Sequence, residues 1–197
     1  NILKYKYDFD IPRTKRRYSL LSKHFVPVFV SIKDINEYVK SFKNLWSIIP
    51  LNKTIQIIEV NAHSCNNNMV LGPEKKDVLD KSEATLKPLQ KIFRVVAKRN
   101  KQLNMPSIFV AQGCSTAEDP YDNFTKEISK ISSGILAFGA NHSNNWANYI
   151  LYKLPSGAIL LPNFFHLTSN RRFVTAYLQG EEIARGTWTE AVPKAKL

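Results

Sequence analysis

At 197 residues, 44% hydrophobic and 11% aromatic, the chain suits one globular domain with a real core. No apolar run approaches the ~18 residues of a membrane span, and no charged-then-apolar leader opens the sequence, so neither a span nor a signal peptide is expected. The net charge of +12 is partly clustered, because Arg13, Lys15, Arg16 and Arg17 form a basic patch flanked by Lys4, Lys6 and Lys23. Such a patch suits nucleic acid, an acidic lipid surface or an acidic protein, or is simply a solvated face. Two cysteines, Cys65 and Cys114, do not make a disulfide framework, and an intracellular, cytoplasmic setting is expected.

In chain order, residues 1–23 read as a basic N-terminal arm, 24–190 as a single α/β domain and 191–197 as a tail. One strand is expected within 18–25 and another over Val26–Ser31, with Pro27 marking an edge or a start. Asp34 is a good N-cap, and Ile35, Tyr38, Val39, Phe42, Leu45 and Trp46 repeat at helical spacing, predicting a helix over 35–46 that Pro50 ends. Thr54–Asn61 reads as a buried strand and Met69–Leu71 as a small one. Ser82 caps a second helix whose buried stripe is Leu86, Leu89, Phe93 and Val96, with Lys98, Arg99 and Lys101 near its carboxyl end, where the helix dipole favours cations.

The run 107–112 is uncharged and β-prone, bounded by Pro106 and Gly113, the pattern of a buried, parallel strand. A turn at 118–120 precedes Tyr121, Phe124, Ile128 and Ile131, again at helical spacing. Strands are expected at Gly134–Phe138, Tyr149–Tyr152 and Ala158–Leu161. From Thr168 the spacing of Phe173, Ala176 and Tyr177 predicts a final helix ending at Gly180. Strands alternating with helices predict an α/β layered domain with a mostly parallel sheet flanked by helices.

The candidate chemistry lies just past two of these strands. His63 follows the strand at 54–61 and Cys114 follows the strand at 107–112, one helical pattern apart. Reactive groups in open α/β sheets gather at the carboxyl edge of the strands. If the two strands are parallel neighbours, a thiol and an imidazole share one edge, the minimum kit for cysteine nucleophilic catalysis. Either residue is also compatible with a structural role, Cys114 as a small buried hydrophobe and His63 as a satisfied strand-end histidine. His24, His142 and His166 show no metal-ligand spacing and no phosphate-binding glycine motif occurs, so neither a metal nor another cofactor is expected.

The order of these parts resembles the caspase family of cysteine peptidases. The segment Leu86–Thr116, with its helix and the strand end Ala111-Gln112-Gly113-Cys114, is similar to the family's helix and Q-A-C-[RQG]-G strand end, whose histidine lies about 50 residues upstream, as His63 does. Val28–Ser64 resembles the preceding strand, helix and strand ending in His-Gly. Asn145-Trp146-Ala147-Asn148 resembles the family's S-W-R-N loop, and 167–174 its late helix. The resemblance implies a caspase-like layered fold with Cys114 as nucleophile and His63 as base. It also implies backbone N–H groups of Ser64 and Cys114 as an oxyanion hole, and Gln112, Trp146 and Ala147 at the substrate.

The departures shape the functional expectation. Ala147 stands where the family has an arginine that grips a substrate aspartate, and a carboxylate without a bidentate partner is costly to bury. His-Gly has become His63-Ser64, Ser115-Thr116 replaces Arg-Gly, and the segment between Cys114 and Gly134 is short. The leading expectation is a regulatory or pseudoenzyme homologue in cell-death or proteolysis control, pairing with itself or with an active relative. The alternative is an active cysteine endopeptidase that does not cut after aspartate. A weaker alternative is a basic structural protein of a nucleoprotein assembly, with the arm on RNA. Expected partners are a protein or peptide, with nucleic acid through the arm.

Overall fold

The strand expected over 107–112 is present and has a parallel neighbour on each side. Ser107–Gln112 (β5) has all six residues buried and pairs in parallel with Ile57–Asn61 (β1) on one side and Ile135–Ala140 (β6) on the other. The computed structural model describes residues 26–28, 30, 32–65, 67–71, 77–105, 107–131, 134–141, 146–154, 157–165 and 174–186. The basic arm, the tail and the strand expected within 18–25 lie outside the described residues.

Beyond β6 the sheet continues with Val174–Leu178 (β9) and Glu181–Gly186 (β10), both antiparallel to their neighbours, in the order β1-β5-β6-β9-β10. The sheet is therefore mixed: the expected parallel strands β1, β5 and β6 are extended by an antiparallel pair. The change follows from the final segment, where the expected helix over 168–180 is replaced, from Val174 on, by a strand hairpin. Val174-Thr175-Ala176-Tyr177 is a continuous buried run with β-branched and aromatic members. Where every position is buried, helical spacing is present by default and decides nothing. Gly180, taken as a helix stop, is the second residue of a two-residue turn with Gln179; both have positive φ (54° and 83°), as a hairpin matched to strand twist requires.

A three-stranded antiparallel sheet sits between β1 and the second helix in sequence: His63–Cys65 (β2), Asn68–Leu71 (β3) and Asp77–Asp80 (β4). Only β3 was legible in the sequence. Its buried Met69 and Leu71, with Leu79 of β4, join the main core. A separate two-stranded sheet is formed by Trp146–Leu154 (β7) and Gly157–Phe165 (β8), both longer than expected. Residues 26–28 and 30 form no strand, contrary to the expectation for Val26–Ser31.

Among the described residues three helices accompany the main sheet. Ile35–Ile48 (α1) starts where Asp34 accepts a hydrogen bond from the Glu37 N–H at 2.8 Å and ends before Pro50, whose ring disfavours helix in the residue preceding it. Glu83–Gln102 (α2) buries Leu89, Ile92, Phe93 and Val96. Ser82 occupies its N-cap position, but its hydroxyl donates to Asp80 instead of accepting from the helix. Phe124–Lys130 (α3) is shorter than the spacing from Tyr121 to Ile131 predicts, because Asn123 caps it and Tyr121 is left exposed. Phe93, Phe109 and Phe124 meet edge to face, at centroid distances of 5.4 and 6.4 Å, and tie α2, β5 and α3 together. Among the described residues no helix is long and apolar enough to cross a membrane.

Candidate functional site

The register of β1 on β5 fixes the site. Paired residues run from Ile57 opposite Ile108 to Asn61 opposite Gln112. The ladder gains one further bond, from the Ala62 N–H to the Gln112 carbonyl at 3.1 Å. His63 and Cys114 are each the second residue past the last pair, so both leave the sheet at the same edge. His63 opens β2 and is exposed; Cys114 is half-buried at the start of a turn over 114–117.

Two contacts hold these chain ends against each other. Gly113 lies so close to the β1–β2 junction that a Cβ there would stand 2.7 Å from the Ala62 carbonyl oxygen and 2.7 Å from Ser64 Cβ, besides overlapping Ser64 Oγ. Glycine is required here for close approach. Ser64 Oγ then donates to the Cys114 carbonyl at 2.7 Å, which joins the residue after His63 to Cys114 itself.

The turn past Cys114 is anchored from below by a residue that sequence reasoning treated only as a departure. Thr116 is fully buried, and its hydroxyl donates to the Ala111 carbonyl at 3.0 Å and accepts from the Ala140 N–H at 3.0 Å. Its own carbonyl accepts from the Thr125 hydroxyl at 2.8 Å, and the Ala117 N–H donates to the Ala140 carbonyl at 2.9 Å. These bonds span β5, β6 and α3 and force Ser115 into the left-handed region, at φ 55°. A non-glycine residue in that conformation costs about 1–3 kcal/mol and persists only where its surroundings over-determine it. A small polar residue shortly after a buried strand is the signal that could have marked Thr116.

The remaining site residues divide in two. Gln112 is buried, 4% exposed, at the end of β5 and so belongs to the same edge. Trp146 and Ala147 open β7, where the backbone pairs with Phe165 and Phe164 in the separate sheet. Arg13, Lys15, Arg16 and Arg17 lie outside the described residues. Cys65 and Cys114 are both thiols; the exposed Cys65 lies 3.1 Å from Asn68 Oδ1 across the β2–β3 hairpin. Among the described residues no three His, Cys, Asp or Glu side chains come together as a metal site would need.

Chemically, the edge offers a thiol within a rigid turn, an imidazole open to solvent and a brace between their two segments. A half-covered cysteine whose backbone is held by neighbouring strands can present its sulfur without rearrangement, which is what an attacking nucleophile needs. Compared with known proteins, the chain matches no family model, no curated protein and no solved structure.

Proposed function

We propose that the chain is a caspase-like protein whose Cys114 and His63 form a thiol–imidazole pair, and that it cleaves peptides after residues other than aspartate. The observation that carries this reading is the equal offset of His63 and Cys114 from the last paired residues, Asn61 and Gln112, of two parallel neighbouring strands. In the proposed chemistry His63 takes the thiol proton as the Cys114 sulfur attacks the scissile carbonyl. His63 then returns the proton to the departing amine, and water hydrolyses the thioester that remains. Backbone N–H groups at Ser64 and Cys114 would stabilise the oxyanion, and Gln112 would lie at the first side-chain subsite. The absence of an arginine at Ala147 argues against a substrate carboxylate.

A second reading has its own support. Ser64 replaces a residue without a side chain in the family pattern, and here its hydroxyl is engaged by the Cys114 carbonyl while its Cβ fills the space beside Gly113. That occupancy favours a regulatory homologue in proteolysis control, one that pairs with itself or an active relative and leaves its own thiol idle.

A peptide-library cleavage assay read by mass spectrometry, with Cys114→Ala as control, separates the two. Cleavage lost in the variant supports the peptidase, and the residue before each cut reports the subsite. No cleavage by the folded parent removes the peptidase reading and leaves the regulatory one, whose partner is then sought by co-purification with an active caspase-like protein.

A further inference from the structure

The helix α2 carries a pattern that the edge chemistry does not use. Lys87, Lys91, Arg94, Lys98 and Lys101 are all exposed and follow one another at intervals of four, three, four and three residues. At 3.6 residues per turn these positions stay within one narrow band, and at 1.5 Å per residue the band is about 21 Å long. The opposite face of the helix, with Thr85, Leu89, Ile92, Phe93, Val96 and Asn100, is buried in the core. The stripe is therefore fixed in direction by the packing beneath it.

The charge on α2 is almost one-sided. The helix has six cations and one acid, Glu83 in its first turn, which pairs with Lys87. The sixth cation, Arg99, leaves the stripe and lies over the Trp46 ring of α1, 3.9 Å from its centroid. From Lys91 onward the stripe has no acid on its own helix. Like charges three and four residues apart destabilise a helix, and a surface selected only for stability alternates them with glutamate. The neighbouring α1 adds exposed Lys40 and Lys43.

We propose that this face of α2 is a docking surface for the sugar-phosphate backbone of a nucleic acid, read without base specificity. The chemistry fits a long, regularly spaced polyanion: a straight row of cations, rigidly mounted, about 4.5 to 6 Å apart along the axis by helical rise. A membrane surface fits less well. An interfacial helix buries an apolar face on the lipid side, whereas the apolar face of α2 faces the core and only Val95, 44% exposed, interrupts the stripe. The proposal is independent of any chemistry at Cys114 and rests on residues other than those of the Arg13–Arg17 arm.

The test is fluorescence anisotropy of the full chain with labelled 20-nucleotide single-stranded RNA and 20-base-pair DNA, titrated across salt. The triple variant Lys91→Gln, Arg94→Gln, Lys98→Gln keeps good helix formers and removes three stripe charges. It is expected to weaken binding to every sequence alike and to flatten the slope of log affinity on log salt by about 2 for the single strand and about 3 for the duplex. Replacing Lys91 and Lys98 by arginine instead should retain the parent slope, which separates charge from folding damage. An unchanged slope in the glutamine variant overturns the proposal, as does no binding at low salt. Tighter, stripe-dependent binding to phosphatidylserine vesicles or to polyglutamate would also overturn it, by assigning the surface to lipid or to acidic protein.

Discussion

Replacing Gly113 by alanine tests the geometry on which the candidate site rests. The added Cβ would stand 2.7 Å from the Ala62 carbonyl oxygen and from Ser64 Cβ, well inside ordinary contact, and would overlap Ser64 Oγ. The Ser64 hydroxyl can rotate away, but only by giving up its 2.7 Å bond to the Cys114 carbonyl. The Ala62 carbonyl is backbone and cannot rotate away, so the β1–β2 junction must move. Overpacking of this kind costs about 1–3 kcal/mol and the lost hydrogen bond about 1 kcal/mol, giving roughly 2–4 kcal/mol together. For a domain of this size that lowers Tm by roughly 5–12 °C. Thermal melts followed by circular dichroism, with urea titrations for the free energy, measure it. The double variant with Ser64→Gly removes two of the three obstructions, so it should be less destabilised than the sum of the singles, a coupling a cycle resolves. A Gly113→Ala protein within about 0.5 kcal/mol of the parent, inside the usual scatter of surface changes, would refute the close approach. The placement of the His63 and Cys114 segments against one another would fall with it.

Three further outcomes are expected. Thr116→Val keeps the shape but leaves the Ala140 N–H and the Ala111 carbonyl without their hydroxyl partner; a loss of about 2–3 kcal/mol in urea titrations is expected, with faster, less selective alkylation of Cys114 by iodoacetamide as the turn loosens. Burial pulls the Asp80 carboxyl up, but hydrogen bonds from the Ser82 hydroxyl and N–H and from Thr85 outweigh it and hold Asp80 below the usual carboxylate range. Its stabilisation is therefore present above the unfolded carboxylate's titration near ~4 and is lost as pH falls through the lower folded value. The urea midpoint of Asp80→Asn should consequently vary less with pH in that acid range than the parent's, and parallel curves would contradict the assignment. Gly180→Ala places a side chain at φ 83° and against the Lys130 chain, and a drop of about 1–2 kcal/mol by thermal melting is expected where a helix-ending glycine outside the sheet would give less.

The parts of the fold legible in the sequence are those where one local signal had no rival. The strand at 107–112 is an uncharged run with an apolar centre, Ile108–Ala111, between Pro106 and Gly113, and it was found to the residue. Asp34 caps its helix through a side-chain bond, as a short polar residue before an apolar periodic run should. The hairpin at 174–186 was missed because Ala176 and Tyr177 satisfy helical and buried-strand patterns equally, and only pairing with β6 decides between them. β2 and β4 were missed because His63-Ser64-Cys65 and Asp77-Val78-Leu79-Asp80 are short and polar at their ends, so they become strands only by pairing with β3 between them. At the site, the strand ends that carry His63 and Cys114 were legible, but the edge they share was not. It depends on the β1–β5 register, a long-range property that spacing along one strand does not contain.

The same long-range bonds determine what a change at Cys114 can mean. Its backbone is held by Ser64 from one side, through the carbonyl, and the following turn is held by Thr116 and Thr125 from the other. None of these bonds uses the Cys114 side chain. Exchanging the thiol for a methyl group should therefore leave these three bonds in place. An activity lost in Cys114→Ala would then report on the sulfur itself. The Ser64 brace is different, since its hydroxyl is the bond, so Ser64→Gly alters the position of Cys114 and the space beside it at once. Cleavage gained by Ser64→Gly would identify the hydroxyl as an obstruction to substrate, and cleavage lost would identify it as the support that aims the thiol. Those opposite signs divide the regulatory reading from the catalytic one at the residue where this chain departs from the caspase pattern.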